Sequence, residues 1–348
     1  MPASLQTPFG RRATRPLLVP PARRMALPQP LWTMDFVRHP TLGAGQGRPG
    51  LDFSRNSPAW DPLRGVTVGA NVPRLNADGL LIEGARRNYL HDSASPATQT
   101  RSLDAGTYTL SIEGTGSVVL SGGPVGTASA GSPATFTLAS TTGVTFTVSG
   151  TVERFQCETD PGNTADGLFA TSFIATPPGD GATRELDFVS GTDLSWFNPA
   201  EGSFLVAFRF NEAASNTGTQ RILTLTDGTA NNRIDVNRND AVNDGAIRFI
   251  GSELGSNVIL FDSDTVENGC HTIAFGYRTS ESCLFLDGVE VPATLNNPFG
   301  ALSSINQVHL GSTWIGTNPL SGYVVSMAYW PDRKGDEFLR SVSSIIAV

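Results

Sequence analysis

The chain has 348 residues, a formal net charge of -8, abundant Gly (37) and Pro (23), and only 16% charged residues. This excludes lysine chemistry over nearly the whole chain, since Lys334 is the only lysine, and it argues against a nucleic-acid-binding body, because phosphate recognition needs a positive field. Many short strands joined by turns fit the composition best, in an all-β protein of more than one domain.

Residues 1–48 form an Arg/Pro-rich arm with seven arginines against the single acid Asp35, so the rest of the chain is more acidic than the whole. Its prolines block helix and central strand, so the arm is expected to run in polyproline or irregular form. Docking on an acidic protein surface is favoured over contact with nucleic acid, with Arg11, Arg12, Arg15, Arg23 and Arg24 as anchoring candidates. No run of about 18 apolar residues exists, so no membrane-spanning helix is expected. "LLVPP" is too short for the apolar region of a signal peptide, and synthesis in a bacterial cytoplasm is expected.

Residues 49–95 read as a turn-rich clasp around "NVPRLNADGLLIEGARRNYL". The "NADG" in its middle is a turn signal, flanked by short extended pieces or a weak helix interrupted by Gly84. Residues 96–184 read as a small β-sandwich module followed by a linker. Tyr108, Leu110 and Ile112 share one strand face there, and Val144, Phe146 and Val148 share another. From residue 185 to 348 the strands carry larger residues. Phe204, Val206, Phe208 and Phe210 line one face, as do Tyr323, Val325, Met327 and Tyr329, and Asp287-Gly288 is a two-residue hairpin signal. Two packed antiparallel sheets of jelly-roll type follow. Cys157, Cys270 and Cys283 are expected to be free thiols, because hairpin register would hold Cys270 and Cys283 too far apart to pair.

Chemistry is sparse. The four histidines His39, His91, His271 and His309 show no zinc-binding spacing, and no nucleophile elbow, P-loop or dinucleotide fingerprint is present. In "RIDVNRND", Asp235, Asn237 and Asn239 project to one side while Ile234 and Val236 face the other. Asn cannot act as a general acid, so this strand lacks the paired carboxylates of a glycosidase. It offers instead either a row of groups for sugar hydroxyls or a solvated strand face. The continuation "NDAVNDG" fails the EF-hand pattern, so no cofactor is expected, with a calcium site of another kind left as an alternative. Trp314 in "GSTWIGTNPLSG", with Asn318 nearby, reads either as a platform for a sugar ring or as a lid over the end of the sandwich.

The cassette with "FSR" before it and Arg74, Leu80, Leu81, Ile82, Glu83, Arg87 and Asn88 within it resembles a segment of structural proteins from tailed bacteriophages and gene transfer agents. The resemblance continues through "LDAGTYTLSIEGTGSVVLSG" and "ATSFIATPPGDGATRELDFVSG", while "LFLDGVEV" and "LGSTWIGTNPLSGYVVSMAYW" are similar to concanavalin A-like and laminin G-like sandwiches. It implies a non-enzymatic virion spike or fibre, anchored to other virion proteins by its arm, forming a homo-oligomer and binding host surface polysaccharide. A purely structural decoration or adaptor protein and a polysaccharide depolymerase are the alternatives.

Overall fold

Apolar residues at every second position give each strand one face for a core, and the chain uses this rule to build two sandwiches. A computed structural model describes residues 28–43, 49–159, 169–211, 218–239, 245–298, 300 and 302–345. It is all-β as expected, and Asp336–Ser343 is the only helix among the described residues. The anchoring candidates Arg11, Arg12, Arg15, Arg23 and Arg24 lie outside them.

The larger sandwich has two antiparallel eight-stranded sheets. Sheet I runs Val289–Val291, Cys283–Leu286, Gly269–Arg278, Glu201–Phe210, Gly322–Trp330, Gly79–Ile82, Arg74–Asn76, with Trp32–Asp35 also paired to Gly322–Trp330. Sheet II runs Asp52–Ser54, Phe188–Gly191, Gln307–Leu310, Gln220–Thr226, Arg233–Asn239, Ala246–Glu253, Ser256–Thr265, Ala293–Asn296. Between them lies one apolar core that includes Phe204, Val206, Phe208, Phe210, Ile234, Val236, Phe249 and Phe275. Each such side chain, fully buried, stabilises by roughly 1.5–3 kcal/mol. The helix lays Leu339 and Val342 on the outer side of sheet I, against Ala274, Cys283 and Phe285.

The smaller sandwich packs a four-stranded sheet (Gly126–Ser129, Ser117–Ser121, Thr142–Ser149, Gln99–Leu103) on a five-stranded one (Ala134–Leu138, Gly106–Gly114, Val152–Thr159, Arg86–Asn88, Ala182–Arg184). Tyr108, Leu110, Ile112, Val144 and Phe146 fill its core.

Strand pairing runs across the boundaries expected at residues 48, 95 and 184. Four strands from before residue 185 belong to the larger sandwich. The end of the arm is among them: Trp32–Asp35 is a strand and not irregular, because no proline interrupts residues 31–39 and Trp32, Met34 and Phe36 reach the core. The cassette is likewise more than a clasp. Its "NADG" turn joins Arg74–Asn76 to Gly79–Ile82 inside sheet I, and the following Arg86–Asn88 enters the smaller sandwich. Gly79 has φ 116°, and a Cβ there would come within 2.5 Å of the Val324 carbonyl oxygen, so this turn requires glycine.

One expected face is corrected. The register between Glu201–Phe210 and Gly322–Trp330 slips between Ala207 and Phe208, so Val206 faces Met327 but Phe208 faces Val324. This β-bulge inverts the alternation and places Val324, not Val325, in the core. The three cysteines are free, and Cys157 and Cys283 are buried.

Where the two sandwiches meet, Arg74 and Glu83 of the cassette join Arg55, Arg184 and Asp187 in a buried network of charges. Arg55 and Arg74 both bind Asp187, Arg74 donates to Glu83 at 2.5 Å, and Arg184 lies 3.1 Å from the same carboxylate. Ser172 adds its backbone N–H to Glu83 Oε1 at 2.8 Å, and Arg184 donates to the Gly84 carbonyl at 2.7 Å. Burial alone would raise the Glu83 carboxyl, but Arg184, Arg74 and Ser172 outweigh it and hold it at about 2. Glu83 therefore stays ionised at neutral pH, and the network ties the strands of both sandwiches together.

Candidate functional site

The outer face of sheet II carries a polar row that the core pattern does not require. On Arg233–Asn239, odd-numbered residues face outward because Ile234 and Val236 face the core. Pairing then aligns Ser190, His309, Thr224, Asp235 and Ile250 across successive strands. Arg221, Asn237, Arg248 and Asp262 form the next row. Arg221 reaches this face only because the register slips between Arg221 and Leu223; without that bulge its side would be opposite to that of Thr224.

The floor of the face is buried. Asp235 is 1% exposed, Asn237 2% and His309 3%. Asn239 is also buried. These side chains are therefore not a solvated strand face. Asp235 is held by a contact from Arg221, by Thr224 Oγ1 at 3.4 Å, and by Arg233 Nε at 3.6 Å. The Arg233 guanidinium also donates to the Ala230 carbonyl at 2.6 Å, and Arg248 donates to Asp262 at 2.5 Å. Burial and then the like charge of Arg233 push Arg221 down to about 10, which leaves it charged at neutral pH; burial lowers Arg233 too.

Several buried polar atoms on this face have no hydrogen-bond partner: Arg221 Nε, Arg233 Nε, Asn237 Nδ2 and His309 Nδ1. Leaving such groups unpaired costs about 1–3 kcal/mol each. With His309 Nε2 donating to Gln307 Oε1 at 3.1 Å, Nδ1 remains as an acceptor. Burial pushes His309 down to about 4, so the ring is neutral at pH 7. Because its folded value lies below the ordinary 6.5, this contribution to stability is complete above about pH 6.5 and is lost as pH falls toward about 4. We expect a loss of at most about 3 kcal/mol over that window, read as a falling urea midpoint and flattened in His309→Gln.

The loop that carries Trp314 and Asn318 borders the same face. Arg221 N donates to the Asn318 carbonyl at 2.9 Å, and Gly311 N to the Ile222 carbonyl at 3.1 Å. A Cβ at Gly316 would lie 2.6 Å from Leu186 Cδ2, so the loop lies close over Leu186, two residues before Phe188, whose ring centroid is 5.3 Å from that of His309. Trp314 is half-buried, and the adjoining Ile315 is 71% exposed. The structure thus gathers the Trp314 loop, Asp235 and Asn237 at one face, together with Arg221, Arg233 and His309.

The latter three were missed from sequence. Arg233 shares its face with Asp235 by simple alternation and was legible. Arg221 was hidden by the bulge, and His309 by the unknown pairing of its strand. Among the described residues no cluster of three or more His, Cys, Asp or Glu could hold a metal ion. Most of "NDAVNDG" lies outside those residues.

No protein-family profile matches the chain, and no curated protein matches it. Solved structures do. The CBM40 domain of the Ruminococcus gnavus IT-sialidase is 17% identical over 42% of this chain and 84% of its own, with a TM-score of 0.36. A leech intramolecular trans-sialidase is 16% identical over 43% and 24%, with a TM-score of 0.37. A heptameric SAP-like pentraxin from Limulus polyphemus is 13% identical over 41% and 70%, with a TM-score of 0.31. The two all-β sandwiches of this chain follow from its own strand pairing.

Proposed function

We propose that the chain is a non-enzymatic spike or fibre protein of a phage-like particle that binds a host surface glycan on the outer face of sheet II. The observation that carries the binding role is the set of buried donors and acceptors left unfilled there, at Arg221, Arg233, Asn237 and His309. Sugar hydroxyls both donate and accept, so a glycan can fill both kinds of position. Asp235 is tied to Arg221 and Arg233, which suits it to positioning and not to proton transfer. The particle role rests on the resemblance of the cassette. In this reading the arm attaches the chain to virion neighbours, no cofactor is needed, and many copies on one particle turn weak contacts into avidity.

The test uses the full chain. It should bind purified host surface polysaccharide, and Trp314→Ala should weaken binding about tenfold, a change of about 1.4 kcal/mol. Removal of residues 1–27 should abolish incorporation into particles without changing polysaccharide binding. A folded chain that co-sediments with particles yet binds no polysaccharide would establish the structural adaptor instead. Release of reducing ends would establish a depolymerase.

A further inference from the structure

We propose that the ligand at the outer face of sheet II is an acidic glycan, whose carboxylate is received between Arg221 and Arg233. This rests on the glycan-binding reading above and goes beyond it by naming the chemical class of the sugar.

Positive and negative charge are unevenly matched on this face. Arg248 is matched by Asp262, whereas Arg221 and Arg233 share the single carboxylate of Asp235. That carboxylate serves them unequally. It contacts Arg221 directly but lies 3.6 Å from Arg233 Nε, beyond good hydrogen-bond range, so Arg233 is left with one backbone carbonyl and an unfilled Nε. Both guanidiniums are largely covered, with side chains 17% and 15% exposed. A partly buried cation whose charge is shared in this way gains most from a second anion, because charge-assisted hydrogen bonds are the stronger ones in a site poor in water.

The form of the anion follows from the donors. A guanidinium presents parallel N–H groups that match the two oxygens of a carboxylate, a geometry that lysine could not supply. The remaining groups select what the carboxylate is attached to. Asn237 Nδ2, two residues along the strand from Asp235, is an unfilled donor, and the neutral His309 ring, on the strand beyond Thr224, is an unfilled acceptor. A molecule carrying a carboxylate next to hydroxyls satisfies all of these at once, which describes a uronic acid or a related acidic sugar. A neutral glycan would fill the hydroxyl positions and leave the excess positive charge where it is.

The experiment compares three probes on the full chain by calorimetry: an oligogalacturonate, the same oligosaccharide with its carboxyls reduced to alcohols, and a sulfated dextran. We expect the oligogalacturonate to bind at least tenfold more tightly than its reduced form. Arg233→Gln should erase that difference while leaving the melting temperature within a few degrees of wild type. Because the reduced oligosaccharide removes the charge from the ligand, the result stands even where the variant folds poorly. Equal binding of both oligosaccharides would overturn the acidic-sugar inference and keep the glycan reading. Preference for sulfated dextran alone would overturn the carboxylate. No binding of these probes, together with none of host polysaccharide, would overturn both.

Discussion

Arg74→Met is expected to destabilise the protein by about 3–5 kcal/mol, the cost of breaking a buried ion pair by removing one partner. Arg74 is fully buried, and its guanidinium bridges Glu83 and Asp187 while donating to Ser172 Oγ at 2.8 Å and to the Trp60 carbonyl at 3.1 Å. With methionine there, Glu83 keeps Arg184 and Asp187 keeps Arg55, but each carboxylate loses a buried partner. The effect should appear as a lower guanidinium midpoint for both sandwiches, since Arg74 stands in the larger and Arg184 in the smaller. Acid adds a second signature. Glu83 is held at about 2, below the ordinary 4.5, so its contribution is complete above about pH 4.5 and is lost as pH falls through about 2. Wild type should therefore lose stability in that acid window, and Glu83→Gln should lose it at neutral pH. A cost below about 1 kcal/mol for Arg74→Met would mean that the network is a spectator of the packing around it.

Trp32→Ala is expected to cost a similar amount, about 3–5 kcal/mol, by removing a large side chain from the core. Trp32 is 1% exposed and stacks on Trp196 with ring centroids 4.5 Å apart, and its Nε1 donates to the Pro49 carbonyl at 3.0 Å. Among the described residues the strand it belongs to pairs only with Gly322–Trp330, so losing the tryptophan should also release residues 31–36 to protease. This matters for the proposed role. A chain tethered to a particle by its arm transmits any pull through this strand, and the aromatic stack sets how firmly the sandwich resists it. Near-unchanged stability and proteolysis would show that the strand is an accessory to the sheet.

Much of this architecture was legible from local pattern. Period-two alternation picked out the core faces at Phe204 to Phe210 and at Tyr108 to Ile112, and Asp287-Gly288 does turn a hairpin, with φ values of 50° and 82°. What stayed hidden depends on partners far apart in the chain. Nothing near Arg74 announces Asp187, 113 residues away, although the segments that carry the resemblance, "FSR", "PR", "GLLIE" and "ATRELDF", supply Arg55, Arg74, Glu83, Arg184 and Asp187 to the network. Bulges are the second blind spot, since one extra residue flips every later side chain. Bulges put Val324 rather than Val325 in the core and turned Arg221 toward Asp235. The helix Asp336–Ser343 went unrecognised because eight residues carry little propensity signal against their tertiary setting.

A titration of host surface polysaccharide into the full chain, wild type and Asn237→Ala, with thermal melting followed in parallel, distinguishes a glycan site on the outer face of sheet II from one elsewhere. Asn237 lies on the floor of the polar face with its amide nitrogen unfilled. Binding by wild type that weakens about tenfold in the variant, with melting little changed, is the result expected for a glycan site there. Equal binding by both would place the glycan elsewhere on the molecule and contradict the account.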